Sequence, residues 1–391
     1  MKNQNKRILL GVTAGVAIYK VLDLISRLKK KSYQVDVIMT ESASKMISPI
    51  LFETMAKSRV YVDMFDEKSH ERVKHIDLAR QADLFVIAPA TANTMAKIAN
   101  GIADNMLTTT ALAYDKEIMF CVSMNTNMLH NPITVENIEK LRQRGHIIVS
   151  SNSGILACDS IGDGRLKEPY EIVEEIEAYF TEKDLKGKNI LVTAGGTVER
   201  IDPVRYITND SSGKMGYAIA KRAYMRGAAV RLISARTSVD LPYGIEEIKL
   251  DSALAMKEEI EKNMAWADSL IMAAAVSDYR VKNPSAQKIK KQGSGFEIEL
   301  EENPDILKSI KKREDQTIIG FAAESRDLVA NAMKKLESKN LDYIVANDIS
   351  IKDIGFNSDN NQVLILGKDF TKRTDKMTKE DIADTILDLL K

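Results

Sequence analysis

Cysteine is scarce in this chain, and that scarcity excludes a framework of disulfides. The 391 residues include only two cysteines, Cys121 and Cys158, and four histidines. A fold held by several disulfides needs more cysteines, so the composition fits a reducing, cytoplasmic compartment. The histidines show no metal-ligand spacing such as H-E-x-x-H, and we therefore expect no zinc site.

The chain also lacks an excess of charge of either sign. Lysine plus arginine and aspartate plus glutamate number 56 each, so the formal net charge is zero. Nucleic-acid and membrane-surface binding depend on a basic excess, and we expect neither partner. Hydrophobic residues make up 44% of the chain, enough for more than one core, and the length favours two or three domains.

Long uncharged hydrophobic runs are absent as well. The apolar run at 8–19 follows Lys6 and Arg7, as in a signal peptide, but Lys20 and Asp23 come directly after it and no cleavage site appears. We interpret this region as a buried strand, a glycine-bearing turn and an amphipathic helix. No segment has the length of uncharged apolar sequence that spans a bilayer.

Short apolar runs alternate with stretches of helical spacing, which is typical of parallel sheets covered on both faces. After a charged helix within 170–188 the pattern restarts, so we predict two doubly wound α/β domains, residues 1–188 and 189–391. The predicted strands are 7–12, 34–39, 84–88, 118–122, 147–149, 189–194, 229–234, 269–274, 317–321, 343–346 and 362–366. The predicted helices include 19–30, 133–144 and 216–226.

Small and polar residues follow three predicted strands of the first half, where open α/β sheets bind ligands. A glycine-bearing turn at 11–15 precedes a helix start that favours a phosphate, although it is not G-x-G-x-x-G, so the dinucleotide fingerprint is absent. An Ala-Pro-Ala-Thr-Ala-Asn segment at 88–93 and an asparagine-bearing segment at 123–128 follow two further strands. A polar loop then carries Cys158, a candidate for acid or thiolate chemistry.

Together these motifs resemble the flavin-containing cysteine decarboxylases over the whole first half. The resemblance implies a flavodoxin-like fold and bound FMN. It also implies that His75 assists oxidation and decarboxylation, that Asn125 holds the departing carboxylate and that Cys158 donates a proton to the product. The residues implied to contact FMN are Gly11, Thr13, Gly15, Thr40, Ala88, Pro89 and Thr91. The chain departs from the family pattern at Ser123, Leu129 and Asp159.

The second half carries its own strand-end motifs. Ser-Ser-Gly-Lys at 211–214 is not a P-loop, because no glycine stands five positions before Gly213 and Met215 replaces the required hydroxyl residue. Backbone N–H groups and hydroxyls there still predict a phosphate cradle. Small residues at 273–277 would admit a flat base, and Asp278 could bind Mg²⁺ through one carboxylate. The polar stretch 278–302 is predicted to leave the sheet; its lysines form either a solvated face or a site that neutralises a triphosphate.

This half resembles the phosphopantothenate–cysteine ligases of the bacterial, CTP-using type along its whole length. The resemblance implies a Rossmann-like fold, contact of Asn209 with the activated acyl intermediate, and stabilisation of charge by Lys288 while that intermediate forms. Asp278 is the implied metal ligand. The residues that fall where the family binds CTP are Met272, Ala273, Ala274, Asp278, Lys288, Pro304, Asp305, Ile306, Leu307, Phe321, Lys335 and Lys339.

The two resemblances together imply a fused enzyme of coenzyme A biosynthesis. It would ligate cysteine to 4'-phosphopantothenate with CTP and Mg²⁺, then decarboxylate the product to 4'-phosphopantetheine with FMN. They also imply trimeric packing of the first halves and dimeric packing of the second, hence a dodecamer. Two alternatives are a non-catalytic flavin-binding regulator, which leaves the second half unexplained, and an NAD(P)-dependent reductase, which the missing fingerprint disfavours.

Overall fold

A computed structural model describes residues 6–65, 74–155, 161–242, 244–290, 297–324, 326–348, 358 and 360–391. The chain divides into two compact units, Met1–Phe180 and Thr181–Lys391. Each unit has its own sheet and its own buried core, which confirms the prediction of two α/β folds. Within the described part of the chain, no helix is both long and apolar enough to cross a membrane.

The first unit contains a six-stranded parallel sheet with helices on both faces. Its strands are β1 (Arg7–Val12), β2 (Gln34–Met39), β3 (Val60–Tyr61), β4 (Leu84–Ala90), β5 (Ile118–Val122) and β6 (Ile147–Val149), followed by an antiparallel pair, β7 (Asn152–Ile155) and β8 (Ile161–Arg165). Its helices are α1 (Lys20–Lys30), α2 (Glu41–Met46), α3 (Pro49–Ala56), α4 (Lys74–Gln81), α5 (Ala92–Ala99), α6 (Met106–Ala113), α7 (Thr126–Leu129), α8 (Pro132–Gln143) and α9 (Pro169–Phe180).

The strand order of this sheet is β3-β2-β1-β4-β5-β6. Without β3 the order is that of the flavodoxin-like fold, which agrees with the expectation for the five predicted strands. The two-residue β3 adds an edge strand and gives the sheet the order typical of Rossmann folds. The sequence did not predict β3 because two residues are too few to show alternation or an apolar run.

The helix α1 shows why these sequences fold as they do. Its apolar residues recur at helical spacing, and Val21, Leu24, Ile25 and Leu28 are all buried against the sheet. Burying one such side chain stabilises the fold by roughly 1.5–3 kcal/mol. The predicted helix 19–30 is confirmed, with a short 3₁₀ turn at Val16–Tyr19 before it.

The second unit contains an eight-stranded sheet and several short pairs of strands. Its strands are β9 (Asn189–Ala194), β10 (Val198–Arg200), β11 (Tyr206–Thr208), β12 (Ala229–Ser234), β13 (Glu246–Lys249), β14 (Ser269–Met272), β15 (Tyr279–Val281), β16 (Leu300–Glu302), β17 (Thr317–Glu324), β18 (Tyr343–Asp348), β19 (Asn360–Asn361), β20 (Val363–Gly367), β21 (Phe370–Arg373) and β22 (Met377–Thr378). Its helices are α10 (Lys214–Met225), α11 (Ala253–Asn263), α12 (Ile306–Ser309), α13 (Leu328–Ser338) and α14 (Lys379–Leu387).

The order of the large sheet is β13-β12-β9-β14-β17-β18-β20-β21, and only the last two strands run antiparallel to their neighbours. Its first six strands follow the Rossmann order, as the resemblance implied. The polar stretch 278–302 leaves the sheet after β14, and its two ends pair as β15 and β16. The order in which successive strands are added to the sheet reverses between β1 and β4 in the first sheet and between β9 and β14 in the second. Such switch points are where open α/β sheets bind ligands.

Candidate functional sites

A cavity of about 710 Å³ lies at the switch point of the first unit. Its walls come from the segments that follow β1, β4 and β5, and from the end of β8. A cavity of this size is in the range that holds cofactors and drug-sized ligands. The lining residues are Ala14, Gly15, Val16, Ala17, Tyr19, Lys20, Thr91, Ala92, Ser123, Met124, Asn125, Met128, Gly164, Arg165 and Leu166.

The turn after β1 and the loop after β4 are joined by hydroxyl groups. The Thr13 hydroxyl donates a hydrogen bond to the carbonyl of Pro89 at 2.6 Å and lies 3.4 Å from the Thr91 hydroxyl, which caps α5. A Cβ atom at Gly15 would lie 3.1 Å from the Pro89 ring, so a side chain there would crowd that ring. Thr13, Gly15, Pro89 and Thr91 therefore lie together, where the sequence predicted a flavin site.

Of the seven predicted flavin contacts, only Gly15 and Thr91 line this cavity. Thr13 and Pro89 contact these two residues, and the other three lie elsewhere. Gly11 is inside β1, and a Cβ atom there would meet Phe85 at 3.0 Å, so its role in the structure is close packing. Ala88 is fully buried within β4. Thr40 follows β2, accepts a hydrogen bond from the N–H of Ala43 at 3.2 Å and so caps α2.

Asn125 lies at the cavity, at the start of α7, and accepts a hydrogen bond from the N–H of Asn127 at 2.9 Å. The end of β8 packs beside it: the Met124 N–H donates to the Gly164 carbonyl at 3.0 Å, and the Thr126 hydroxyl donates to the Asp163 carbonyl at 2.7 Å. The strands β7 and β8 flank the segment 156–160. Cys158 and Asp159 themselves lie outside the described residues.

His75 lies in the first turn of α4 and is half-buried. It is not among the residues that line the cavity. A crossover helix runs antiparallel to its strands, so its first turn lies toward the carboxyl edge of the sheet, the edge that carries the cavity. Of the two described departures from the family pattern, Ser123 lines the cavity and Leu129 packs against the hydrophobic core.

Sequence reasoning missed Lys20 as a residue of this site. Its side chain is 7% exposed, and its ammonium group pairs with Glu168 at 2.8 Å while the residue lines the cavity. Lys20 begins α1 only five residues after Gly15, so it lies at the same edge of the sheet. That position after the glycine turn is the signal that would have identified it.

A smaller cavity, of about 140 Å³, lies at the carboxyl edge of the second sheet. The first turn of α10 forms one wall, with Gly213 at its N-cap in a left-handed conformation (φ +78°) and no side-chain cap. A Cβ atom at Gly216 would lie 2.6 Å from that of Ala194, so this glycine lets α10 pack directly against β9. An open helix N-terminus at a cavity favours an anion, which supports the predicted phosphate cradle.

Asn209 contacts the loop after β14 directly, and Thr197 holds the neighbouring residues of both segments. The Asn209 amide donates to the Ala275 carbonyl at 3.2 Å. Thr197 is fully buried; its hydroxyl accepts from the N–H of Ser277 at 2.9 Å, and its carbonyl accepts from the Thr208 hydroxyl at 2.7 Å. The predicted residues Asn209 and Asp278 therefore directly follow Thr208 and Ser277, the two residues that donate hydrogen bonds to Thr197.

Three of the twelve predicted CTP-binding residues line this cavity. Ala273, Ala274 and Phe321 line the cavity, while Met272 is buried at the end of β14. Asp305 caps α12 and pairs with Lys339 at 3.3 Å, and Lys335 pairs with Glu324 at 2.7 Å. Pro304, Ile306 and Leu307 flank or follow this cap, and Ile306 is buried.

Asp278 and Lys288 are both exposed to solvent. The carbonyl of Asp278 accepts a hydrogen bond from the N–H of Asn303 at 2.8 Å, which fixes its backbone. Among the residues that the structure describes, no group of three or more His, Cys, Asp or Glu side chains is placed to hold a metal ion.

Sequence reasoning also missed Asn347, which lines the smaller cavity from the end of β18. The residue is 8% exposed, and its Oδ1 atom accepts no hydrogen bond from the part of the chain that the structure describes. In the sequence it directly follows the predicted strand 343–346, and residues after predicted strands are where a ligand site is expected.

Each of the two units matches a different protein family. Residues 1–181 match the family described as Flavoprotein, and residues 185–391 match the DNA/pantothenate metabolism flavoprotein C-terminal domain. The chain is 44% identical to the coenzyme A biosynthesis bifunctional protein CoaBC of Bacillus subtilis, over 98% of this chain and 96% of that protein. It is 41% identical to the protein of the same name from Borreliella burgdorferi, over 99% and 100%. A crystal structure of the C-terminal domain of such a protein is 40% identical, covers 53% of this chain and 95% of its own, and gives a TM-score of 0.45.

Proposed function

This chain belongs to the family of bifunctional coenzyme A biosynthesis proteins, and we propose how its two reactions are divided between its two units. Residues 1–188 form a phosphopantothenoylcysteine decarboxylase that binds flavin as FMN. Residues 189–391 form a phosphopantothenate–cysteine ligase that uses CTP. The observation that carries the proposal is the match of each unit to a different family, with a cavity at the switch point of each sheet.

The larger cavity fits a flavin by its volume and its lining. The hydroxyl of Thr91 and the small residue Gly15 would hold the polar part of FMN, and Val16 and Met128 offer apolar surface to the ring. The buried hydroxyl of Thr13 would hold the loop after β4 in place through its hydrogen bond to the Pro89 carbonyl. Bound FMN would accept a pair of electrons from the cysteine moiety and later return it. The protein supplies placement and electrostatics for that chemistry.

We assign three side chains to the decarboxylation. Asn125, at the cavity, holds the departing carboxylate through its amide. Cys158 donates a proton to the product, and His75 assists the oxidation and the loss of CO₂. Lys20 and Arg165 both line the cavity and both pair with Glu168, so the three side chains carry one net positive charge, which favours an anionic substrate group there.

In the ligase unit, the substrate carboxylate would attack the α-phosphorus of CTP and displace pyrophosphate. The amine of cysteine would then attack the acyl carbon, release CMP and lose a proton. Lys288 stabilises the charge of the first step, and Asn209 binds the acyl-cytidylate. Asp278 would bind Mg²⁺ with the phosphates, because a single carboxylate with substrate oxygens suits that ion.

The direct test supplies the protein with phosphopantothenate, cysteine, CTP and Mg²⁺, and identifies the products by mass. We expect phosphopantetheine, CO₂, CMP and pyrophosphate in equal amounts. Omitting cysteine should leave the acyl-cytidylate, and ATP in place of CTP should give much less product. Formation of phosphopantothenoylcysteine without CO₂ would contradict the decarboxylase assignment alone.

We also propose that the enzyme is a cytoplasmic homo-oligomer, a dodecamer built from trimers of the first unit and dimers of the second. The support is the family to which the chain belongs and its low cysteine content. Light scattering gives the test, since a dodecamer has twelve times the mass of the chain. A monomer in solution would contradict this proposal.

A further inference from the structure

Asp202 lies in the turn between β10 and β11, and its side chain has no exposure to solvent. One carboxylate oxygen, Oδ1, accepts hydrogen bonds from the N–H groups of Val204 and Arg205, both at 2.8 Å. The other, Oδ2, accepts from Nε and Nη2 of Arg205 at 3.0 and 2.6 Å. The carboxylate thus closes the turn and holds the Arg205 guanidinium in one orientation.

The same pair also holds a segment more than eighty residues further along the chain. The N–H of Ile289 donates to Oδ2 of Asp202 at 3.2 Å, and Nη2 of Arg205 donates to the Ile289 carbonyl at 2.9 Å. The N–H of Ser285 donates to the Ile201 carbonyl at 2.9 Å. Both backbone polar groups of Ile289 are therefore fixed, and the neighbouring residue is Lys288.

The charge of Asp202 strengthens these contacts. Hydrogen bonds from Arg205 outweigh the effect of desolvation, with help from the N–H groups of Val204 and Ile289, and hold the pKa of this carboxyl well below its usual range. The carboxylate therefore stays ionised at any pH at which the enzyme works. Hydrogen bonds to an ionised acceptor are about twice as strong as those between neutral groups.

We propose that Asp202 is a positioning residue for ligation, which acts by fixing the backbone beside Lys288 through Arg205 and Ile289. The inference rests on the proposed function, in which Lys288 stabilises charge during formation of the acyl-cytidylate. A cation held in place before reaction costs no reorganisation in the transition state. A displacement of about 1 Å at such a group can lower the rate about a hundredfold.

The test compares Asp202→Asn, Lys288→Gln and the double variant in single-turnover formation of the acyl-cytidylate. We expect Asp202→Asn to slow this step by one to two orders of magnitude. In the Lys288→Gln background the same change should cost less than threefold, because the group that it positions is already lost. The matched control is Asp251→Asn, which removes the Arg200–Asp251 ion pair (3.0 Å) of the same unit and should leave the step unchanged.

A second measurement separates positioning from misfolding. Asp202→Asn should convert supplied acyl-cytidylate and cysteine to product at the parental rate, because that step does not use Lys288. If the variant does not fold, Arg205→Lys keeps the positive charge but removes the Nη2 hydrogen bond to the Ile289 carbonyl, and it should show the same loss and the same lack of additivity. Multiplicative effects of Asp202→Asn and Lys288→Gln would overturn the positioning role, whereas a parental rate for Lys288→Gln alone would overturn the proposed role of Lys288.

Discussion

Gly164 leaves no room for a side chain at the end of β8. Its φ of +120° is unusual for other residues, and a Cβ atom there would lie 1.9 Å from the Met124 carbonyl oxygen. Gly164→Ala should therefore move β8 away from the Asn125 loop. We expect CO₂ release from supplied phosphopantothenoylcysteine to fall at least tenfold, with ligation unchanged.

The control for this variant is Gly101→Ala. Gly101 also has a positive φ, +73°, but no heavy atom lies within 4 Å of the position of its Cβ. The substitution therefore adds backbone strain of about 1 kcal/mol without a clash, and decarboxylation should stay within twofold of the parent. Full activity of Gly164→Ala would show that β8 can shift without consequence for the site.

Thr197 is a residue whose role only the structure reveals. Its hydroxyl accepts from Ser277, beside Asp278, and Thr197→Val keeps the shape but leaves that buried N–H without its acceptor. Such a loss costs roughly 1–3 kcal/mol. We expect ligation to slow by one to two orders of magnitude in kcat, with Thr197→Ser close to the parent. Equal rates for the Val and Ser variants in steady-state assays would contradict this role.

Among the elements, the buried strands were predictable from sequence and the exposed ones were not. The predicted strands 7–12, 118–122 and 229–234 match the observed ends because parallel strands buried on both faces are continuous apolar runs. By contrast, β21 is exposed along its whole length and shows no such run. The predicted strand 269–274 was too long by two residues, because small residues continue past Met272 into the loop that lines the cavity.

The candidate ligand sites, like the strands, were only partly predictable from the sequence. The strand-end rule pointed to the segments that hold Gly15 and Thr91, which line the larger cavity, because residues after buried strands meet at one edge of a sheet. Asn209 follows the partly exposed β11 and was implied by the resemblance alone. The rule could not separate Gly11, which packs inside β1, from Gly15, which lies at the cavity. Contacts such as Asp202 with Ile289 join residues far apart in sequence, and no local pattern records them.

The end of α10, the segment before β9 and the C-terminus of the chain are joined by ion pairs. Arg226 is 5% exposed and contacts Asp184 and Asp388 at 2.8 and 2.9 Å, and Lys391 contacts Asp184 at 3.0 Å. Desolvation alone would raise the pKa of Asp184, but hydrogen bonds from Arg226 and Lys391 outweigh it and lower the pKa to about 2.

This pairing predicts a pH dependence of stability. A carboxyl with a lowered pKa in the folded state stabilises the protein above its unfolded pKa near 4, and the contribution disappears as the pH falls from about 4 to about 2. Asp184→Asn should therefore lower the free energy of unfolding by roughly 2 kcal/mol at pH 6, and by less as the pH approaches 3. Trp266, the single tryptophan, can report urea unfolding of this unit by fluorescence. A difference between variant and parent that stays constant with pH would contradict the assignment.

At the scale of the whole molecule, the chain contains two folds of one class, to which we assign separate reactions. Each has its ligand cavity at the switch point of its own sheet, and no residue lines both cavities among those described. Damage to one set of catalytic groups should therefore leave the other reaction intact. This separation can be tested with a residue that lies in the first unit alone.

His75→Asn is the variant for that test. General acid–base groups contribute roughly 10²–10⁴-fold to rate, so CO₂ release should fall at least a hundredfold, while pyrophosphate release in ligation stays within twofold of the parent. His146→Asn is the control: His146 lies before β6, at the opposite edge of the sheet, and accepts a hydrogen bond from the N–H of Ile118 at 3.2 Å. Burial, with the nearby Arg144, lowers the pKa of His146, which suits this neutral acceptor role, and asparagine can replace it. Loss of ligation in His75→Asn protein of parental mass and flavin content would show that the two sites are coupled, whereas normal CO₂ release would remove His75 from the mechanism.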